Sequence, residues 1–277
     1  MKITFIYFFL ILFILYVIIT KIYKFYRSEC NSFENKFKLD VDEIIPKINY
    51  NINNPQDIHY LFWTGGYDST FRLCQVLLLL DKPIQPIYIM CGNVDSEFTI
   101  SRQNIQKEIE TMKNIRKIIL QKNSHLSSKF LPTQYVISIK KNSKITKAFN
   151  RLHKRLGYFS RSVSQYERMA RFSSDYEYPI EVGLENCGTG LDEATKFFRE
   201  DIGTNCKLKH QLPNKFKDLA IFNNFRFPIC HLTKEEMRNI AINYKFFYIL
   251  QMTWSCWFPK NGRPCGHCQM CKKRIIY

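Results

Sequence analysis

A short apolar run that ends in two consecutive glycines is the feature that most restricts how this chain can fold. Residues 59–64 are largely apolar and aromatic, and Gly65 and Gly66 follow them directly. Polar residues and then a stretch with helical character come next. Glycines let the backbone turn sharply and approach a ligand closely. The pattern predicts a buried strand, a tight turn, and a helix whose first N–H groups have no acceptor inside the helix.

Further strand-like and helix-like segments alternate along the chain. The predicted strands are His59–Thr64, Pro86–Met90, Lys117–Leu120, Ile180–Leu184 and Phe225–Ile229, and the predicted helices are Ser69–Leu80, Thr99–Ile115, Arg161–Phe172 and a last one that ends at about Tyr244. Ser69 is the expected N-cap of the first helix, and Thr233 with Glu236 predicts a capping box at the start of the last. This alternation favours an α/β fold with a mostly parallel sheet covered on both faces.

The turn at the two glycines has the chemistry of an anion site. A helix start combines free N–H groups with the positive end of the helix dipole, which suits phosphate. Hydroxyls of Thr64, Ser69 and Thr70 add donors. Asp68 is an anion, so its expected task is to hold Mg²⁺ that bridges phosphate oxygens. An ordinary strand-to-helix turn capped by Asp68 is the alternative interpretation.

The order of residues in this loop narrows the class of phosphate site. The spacing fits neither a Walker A loop nor the glycine fingerprint of dinucleotide folds. The segment Thr64-Gly-Gly-Tyr-Asp-Ser69 instead resembles the Ser-Gly-Gly-x-Asp-Ser signature of the PP-loop ATP pyrophosphatases. Thr64 takes the first serine position, and the exchange retains the hydroxyl.

Four cysteines lie within sixteen residues near the end of the sequence: Cys256, Cys265, Cys268 and Cys271. Four thiolates satisfy tetrahedral Zn²⁺ completely and leave no position for water, so the cluster predicts a structural zinc site. An iron–sulfur cluster is the alternative, because Cys-x2-Cys-x2-Cys spacing also suits one. His267, between two of the cysteines, is expected to be exposed.

The start of the sequence predicts a membrane anchor over residues 1–27. Residues 3–20 carry no charge and span roughly 27 Å as a helix, close to a bilayer core. Lys21 and Lys24 follow, and the positive-inside rule places the later chain in the cytosol. A cleaved signal peptide is the competing interpretation, but the residues that follow are too bulky for a cleavage site. We expect a single-pass membrane protein whose catalytic domain faces the cytosol.

The remaining chain divides into three predicted parts. They are a polar linker at 28–55, an ATP-binding α/β domain at 56–250 and a zinc-binding segment at 251–277. Hydrophobic residues make up 45% of the chain, which excludes global disorder. The net charge of +17 favours nucleic acid, anionic lipid or ATP as partners, with lysine-rich coding as the alternative. Basic and aromatic residues are frequent at 125–177, where a solvated helical face is the alternative to a binding surface.

The loop and the cysteine cluster together resemble one family. A PP-loop early in an α/β domain, followed by Cys-x8-Cys-Gly-x-Cys-x2-Cys-x2-Arg near its end, is similar to the 7-cyano-7-deazaguanine synthases. The segments Phe227-Pro-Ile, Leu232-Thr-Lys-Glu-Glu236 and Met252-Thr-Trp-Ser-Cys256 carry the same resemblance. It covers roughly residues 58–115 and 225–274.

The resemblance implies a fold, a reaction and a set of site residues. The fold is a doubly wound, Rossmann-like sheet of the adenine nucleotide alpha hydrolase type. The reaction adenylates the carboxylate of 7-carboxy-7-deazaguanine with release of pyrophosphate; ammonia then gives an amide, and a second activation gives the nitrile preQ0. The implied cofactors are ATP, Mg²⁺ and Zn²⁺. By matching position the ATP-binding residues are Thr64, Gly65, Gly66, Tyr67, Asp68, Ser69 and Thr70, the catalytic residues are Asp68 and Ser69, and the zinc ligands are Cys256, Cys265, Cys268 and Cys271.

The middle of the chain departs from the family's pattern. Members carry a Tyr-Pro-Asp-Cys-Arg-like stretch near the substrate, which residues 180–198 do not reproduce, although Asp192 is an acidic residue in that region. A PP-loop enzyme that modifies tRNA, and a membrane-tethered nucleotide-binding module without catalysis, therefore stay open as alternatives. The expected partners are ATP, a carboxylate substrate, ammonia and a membrane at residues 3–20. Nucleic acid, and a second copy of the chain in a homodimer, stay open as further partners.

Overall fold

The computed structural model describes residues 21, 57–90, 104–136, 139–156, 164–176, 178–186, 208 and 212–274. The chain separates into two compact units, Met1–Asn49 and Tyr50–Tyr277, and the fold below is that of the second. No helix within the described ranges is long and apolar enough to cross a bilayer. The predicted anchor at residues 3–20, the linker as far as residue 55, and Asp192 lie outside those ranges.

Five strands of the described chain form one parallel sheet, as the alternating pattern predicts. They are β1 His59–Phe62, β2 Ile84–Ile89, β3 Gln134–Val136, β4 Ile180–Val182 and β5 Phe225–Arg226. Their order across the sheet is β3-β2-β1-β4-β5, and every neighbouring pair is parallel. The order reverses between β1 and β4, and ligands of open α/β sheets bind at the carboxyl ends of the strands at such a point.

Helices join the strands and cover the sheet. They are α1 Tyr67–Cys74, α2 Ile105–Lys122, α3 Ser143–Leu156, α4 Ser164–Ser174, α5 Lys234–Asn243, α6 Phe247–Gln251 and α7 Gln269–Arg274, with a π-helical turn at Gln75–Leu79 and 3-10 helices at Ser124–Ser128 and Asn214–Phe222. The capping box predicted at Thr233 and Glu236 is confirmed, and it opens α5.

Alternate residues of β1 point to opposite faces of the sheet, and both faces are buried. Phe62 joins a core cluster with Phe149 of α3 and Met169 of α4. Leu61 and Trp63 point to the other face and are fully buried. Full burial of such a side chain contributes about 1.5–3 kcal/mol. The two-sided core holds the carboxyl end of β1 in a fixed position, and the glycine turn begins there.

The predicted strand at Lys117–Leu120 is wrong, because these residues belong to α2. Buried side chains of α2 recur at helical spacing through Ile109, Met112, Ile115 and Ile119, so this apolar run continues the helix. A short apolar run of this kind does not distinguish a strand from a buried helical turn. The sheet takes its third strand from Gln134–Val136 instead.

The predicted N-cap at Ser69 is also wrong. Helix α1 begins at Tyr67 with Gly66 as its N-cap, and Gly66 has no side chain to cap it. Ser69 therefore lies in the first turn, where its hydroxyl is 3.4 Å from the carbonyl oxygen of Gly66. The glycines thus lead directly into the helix, and its uncapped start faces the carboxyl edge of the sheet.

A buried ion pair fastens α1 to β4. The guanidinium of Arg72 donates from Nε and Nη2 to both carboxylate oxygens of Glu181, at 2.7 and 2.8 Å. Nδ1 of His59 lies 2.8 Å from the same carboxylate. Burial by itself raises the pKa of Glu181, but the hydrogen bonds from Arg72 and His59 outweigh it and leave the pKa below its ordinary value. Glu181 is therefore ionised in the folded chain at neutral pH.

Glu181→Gln is expected to lower the free energy of unfolding by about 3–5 kcal/mol, because it leaves the buried guanidinium of Arg72 without a counter-charge. The pKa of Glu181 in the folded chain lies below the ordinary 4.5. The ionised carboxylate therefore contributes its full stabilisation above that pH, and this stabilisation is lost as the pH falls through the folded pKa. Urea unfolding at pH 7 and in acid measures both effects. Arg72→Met with Glu181→Leu removes both charges and should restore most of the loss at pH 7. Ordinary surface substitutions change the free energy of unfolding by about 0.5 kcal/mol or less. A change of that size in Glu181→Gln would contradict a buried ion pair.

Candidate functional site

The glycine turn after β1 is fixed by the segments that surround it. Gly65 has a φ of +70°, a conformation that glycine adopts without strain. A Cβ there would lie 3.2 Å from the side chains of Thr111 and Met112 on α2. The carbonyl oxygen of Gly65 accepts a hydrogen bond from the backbone N–H of Trp254 at 3.0 Å. Gly65 therefore shapes the turn and joins it to the C-terminal segment.

The first N–H groups of α1 precede the hydrogen-bond ladder of the helix. The ladder begins with the bond from Thr70 N–H to the carbonyl oxygen of Gly66, at 3.0 Å. The N–H groups of Tyr67, Asp68 and Ser69 therefore have no acceptor within the helix. They lie at the positive end of its dipole. This is the local geometry that an anion requires.

Gly183, just after β4, lies directly against the start of α1. A Cβ at this position would be 2.7 Å from the backbone nitrogen of Ser69 and 2.8 Å from its Cα. Any side chain here would displace the helix start or occupy the space in front of its N–H groups. The carboxyl end of β4 and the start of α1 therefore pack closely against each other at this glycine.

A cavity of about 530 Å³ opens in front of this helix start. The loop lines it with Thr64, Gly66, Tyr67, Asp68 and Ser69. Other walls come from β4, α4, α5, α6 and the segment that precedes the first clustered cysteine, and these walls are both aromatic and polar. Its volume falls in the range of sites for small molecules and cofactors, about 300–1,000 Å³.

The seven predicted loop residues separate into two groups. Five of them line the cavity, whereas Gly65 and Thr70 are not part of its wall. Thr70 is fully buried, and its hydroxyl accepts a hydrogen bond from Nε1 of Trp63 at 3.0 Å. It ties α1 to the end of β1 and is not part of the cavity wall, so its role is in the packing of the helix.

Lys234, at the start of α5, reaches the loop from a distant part of the sequence. Its ammonium group forms an ion pair with the carboxylate of Asp68 and lies 2.9 Å from Oε2 of Glu185. Burial alone lowers the pKa of Lys234, but the charges of Asp68 and Glu185 outweigh it and raise the pKa above its ordinary value. The lysine is therefore charged at neutral pH. Carboxylate oxygens such as those of Asp68 and Glu185 are ligands that Mg²⁺ prefers.

Sequence reasoning missed Lys234 and Glu185 as site residues. Lys234 lies inside the predicted capping box, and Glu185 lies in the stretch that departs from the family's pattern. The available signal was the segment Leu232–Glu236, which already carried the family resemblance.

The four clustered cysteines converge on one centre. Their sulfur atoms all lie within 4.8 Å of one another, and four sulfurs around one zinc ion would be roughly 3.8 Å apart, given Zn–S bonds of about 2.3 Å. Backbone N–H groups of Cys265, Cys268 and Cys271 point to the sulfurs of the preceding cysteines, at 3.2, 3.3 and 3.4 Å. The donor set is a closed four-thiol site that can hold a metal. His267 is exposed.

Trp254 connects this cysteine centre to the glycine turn. Its backbone N–H donates to Gly65, as described above, and its indole Nε1 donates to the carbonyl oxygen of Cys256 at 2.9 Å. Its ring packs with Cys256, Cys268 and Cys271 and also lines the cavity. The packing of the C-terminal segment and the position of the turn are therefore linked through one residue, by its backbone on one side and its ring on the other.

Comparison with known proteins relates the C-terminal part of the chain to a protein family. Residues 211–275 match the sequence model of a family described as Queuosine biosynthesis protein QueC. This C-terminal part of the chain is QueC-like, which confirms the predicted resemblance there; it contains Lys234, Trp254 and the four cysteines. The glycine turn lies outside the matched residues. No curated protein and no solved structure matches the chain.

Proposed function

We propose that this chain is an ATP-dependent ligase of the PP-loop type that activates 7-carboxy-7-deazaguanine by adenylation and converts it to the nitrile preQ0. The observation that carries the proposal is the uncapped start of α1. It opens into a cavity of about 530 Å³, beside the ion pair between Asp68 and Lys234. The QueC-like match at residues 211–275 supports the same family and pathway.

The residues of the turn supply what a triphosphate needs. The N–H groups of Tyr67, Asp68 and Ser69 and the hydroxyls of Thr64 and Ser69 bind phosphate oxygens. Lys234 reaches the same oxygens when it exchanges one of its carboxylate partners for phosphate. Asp68 then holds Mg²⁺, which supplies charge neutralisation at the phosphates. All five residues except Lys234 belong to the loop that the sequence predicts.

The chemistry follows from the weakness of a carboxylate as an electrophile, since it is an anion with a poor leaving group. In the first step a carboxylate oxygen attacks the α-phosphorus of ATP, and pyrophosphate leaves with the bonding electron pair. Ammonia then attacks the acyl carbon, AMP leaves and an amide forms. A second ATP then adenylates the amide oxygen with release of pyrophosphate. AMP leaves with that oxygen, the nitrogen loses its two protons, and the nitrile forms. The enzyme contributes placement and electrostatic stabilisation.

The cysteine centre is assigned a structural role in this proposal. Cys256, Cys265, Cys268 and Cys271 hold Zn²⁺ with no position left for substrate. The ion orders the segment that carries Trp254, and Trp254 supports the glycine turn. The membrane anchor at residues 3–20 and the cytosolic orientation of the domain remain part of the proposal, on the sequence pattern alone.

ATP–pyrophosphate exchange in the presence of 7-carboxy-7-deazaguanine tests this function. We expect exchange that depends on the acid, and preQ0 as the product when ammonia is added. Labelling of unmodified tRNA without preQ0 would replace the proposal with a tRNA-modifying PP-loop enzyme. ATP binding without exchange in the presence of any acid would replace it with a nucleotide-binding module.

Gly183→Ala is expected to weaken ATP binding about tenfold or more, which corresponds to about 1.4 kcal/mol. The added Cβ would be 2.7 Å from the Ser69 nitrogen, in the space proposed for a phosphate oxygen. Isothermal titration with ATP measures the change. Asn114→Ala is the control, because Asn114 is an exposed residue of α2, and it should bind ATP as the parent does. Equal affinity of the two variants would exclude this position for the phosphates.

A further inference from the structure

Helix α3 carries charges of only one sign. Its fourteen residues include Lys144, Lys147, Arg151, Lys154 and Arg155, and no aspartate or glutamate. All five side chains are exposed. Exposed helical faces ordinarily mix both signs. Helix α2 does so, since its Lys107 pairs with Glu110 at 2.8 Å.

The basic side chains form a ridge along one side of α3. Lys144, Lys147, Arg151 and Lys154 are separated by three, four and three residues, so they share one side over roughly 15 Å. The side that carries Phe149 and Leu152 is buried in the core cluster. The ridge is therefore held on a packed element with its charges directed outwards.

A carboxylate from a neighbouring element faces the ridge. Asp218, in the 3-10 helix Asn214–Phe222, accepts hydrogen bonds from Nε and Nη2 of Arg151 at 3.0 and 2.6 Å and lies 3.6 Å from Nη1 of Arg155. It orients the two arginines and neutralises a single charge. The preceding residue, Lys217, is exposed and basic, and it places a further positive charge beside Asp218.

We propose that this ridge, formed by Lys144, Lys147, Arg151, Lys154 and Arg155, binds the phosphodiester backbone of a nucleic acid. A linear row of cations complements a strand that presents one phosphate per nucleotide. An anionic membrane fits less well, because a helix binds a bilayer by inserting its apolar side, and the apolar side of α3 packs into the protein core. The proposal goes beyond the ATP chemistry and does not depend on it.

The ridge lies next to the elements that form the cavity. Thr146 of α3 donates from its hydroxyl to Glu167 of α4 at 2.6 Å. The same helix α4 contributes Gln165, Tyr166 and Met169 to the cavity wall. A strand bound along α3 would therefore run beside the helix that borders the nucleotide site.

Binding of an oligonucleotide of about 20 nucleotides, as RNA and as DNA of the same sequence, tests the proposal by fluorescence anisotropy. The full chain is used in neutral detergent, and affinity is measured between about 50 and 200 mM salt. The test variant combines Lys144→Gln, Lys147→Gln and Lys154→Gln. The matched control combines Lys82→Gln, Lys113→Gln and Lys117→Gln, which removes the same charge from exposed lysines elsewhere.

The ridge variant is expected to bind at least tenfold more weakly than the control, and the slope of log affinity against log salt should fall by about 2–3, given 0.7–0.9 per phosphate contact. Equal binding of RNA and DNA assigns the backbone as the ligand, and a preference for RNA narrows it to RNA; both support the proposal. Equal loss in both variants would show only an effect of net charge and would overturn it.

A second experiment distinguishes a lipid ligand of the ridge from a nucleic acid ligand, and a third shows that the result is independent of the proposed enzymatic activity. Mixed micelles that contain phosphatidylserine replace the oligonucleotide. If the ridge variant loses affinity for these micelles but not for the oligonucleotide, the ridge is a lipid site and the proposal fails. ATP–pyrophosphate exchange should be the same in the ridge variant and the parent, so failure of the enzyme assignment would not affect this result.

Discussion

Asp68→Asn is expected to lower the rate of ATP–pyrophosphate exchange by about 100-fold or more, the usual cost of losing a group that stabilises transition-state charge. Asparagine keeps the shape of the side chain but loses the charge that would hold Mg²⁺. Asp68 is placed for this task, because it lies in the first turn of α1, lines the cavity and retains 26% side-chain exposure. We expect the decrease in kcat and a weaker dependence on Mg²⁺ concentration.

The fold of this variant should survive, because Lys234 keeps Glu185 as a partner at 2.9 Å. Its thermal transition is therefore compared with that of the parent before activity is interpreted. Glu235→Gln is the matched control, since Glu235 is an exposed carboxylate in the first turn of α5, one residue after Lys234. The control should retain full exchange. A folded Asp68→Asn chain with unchanged turnover would refute the role of this carboxylate.

Cys268→Ser is expected to abolish stoichiometric zinc binding and to unfold the C-terminal segment. Structural zinc in small finger domains contributes about 10–16 kcal/mol in apparent terms, and Cys268 is one of four sulfurs that lie within 4.8 Å of one another. Trp254 packs on this centre and donates to Gly65 at 3.0 Å. Loss of the metal should therefore also weaken ATP binding, although none of the four clustered cysteines lines the cavity.

Metal analysis, thermal unfolding and ATP titration together measure this prediction. His267→Ala is the matched control, because His267 is exposed and hydrogen-bonds the carbonyl oxygen of Cys265 through Nδ1 at 2.8 Å. It should keep the metal. A metal-free Cys268→Ser chain with normal thermal stability would contradict the structural role. Iron and sulfide in the parent protein, in place of zinc, would replace the zinc site with an iron–sulfur cluster.

The features of the site that could be predicted from the sequence are those formed by residues close together in the chain. The turn at Gly65 and Gly66 and the capping box at Thr233 depend on neighbours within a few residues. The cysteine cluster needs only a short loop between Cys256 and Cys265 and close spacing thereafter. Local backbone preferences decide such features. The strand expected at Lys117–Leu120 failed for the same reason, since a short apolar run has no local preference strong enough to choose between strand and helix.

By itself, the sequence determined the class of fold, the position of the glycine turn and the cluster of four cysteines. The tertiary structure alone decided which distant residues complete the site. Lys234 meets Asp68 although 166 positions separate them, and Gly183 meets Ser69 because β4 lies beside β1. The physical reason is that strand order follows from packing of both sheet faces against helices, and this depends on side chains throughout the chain. The hydrogen bond from Trp254 to Gly65 likewise exists only once α6 and the cysteine segment have packed.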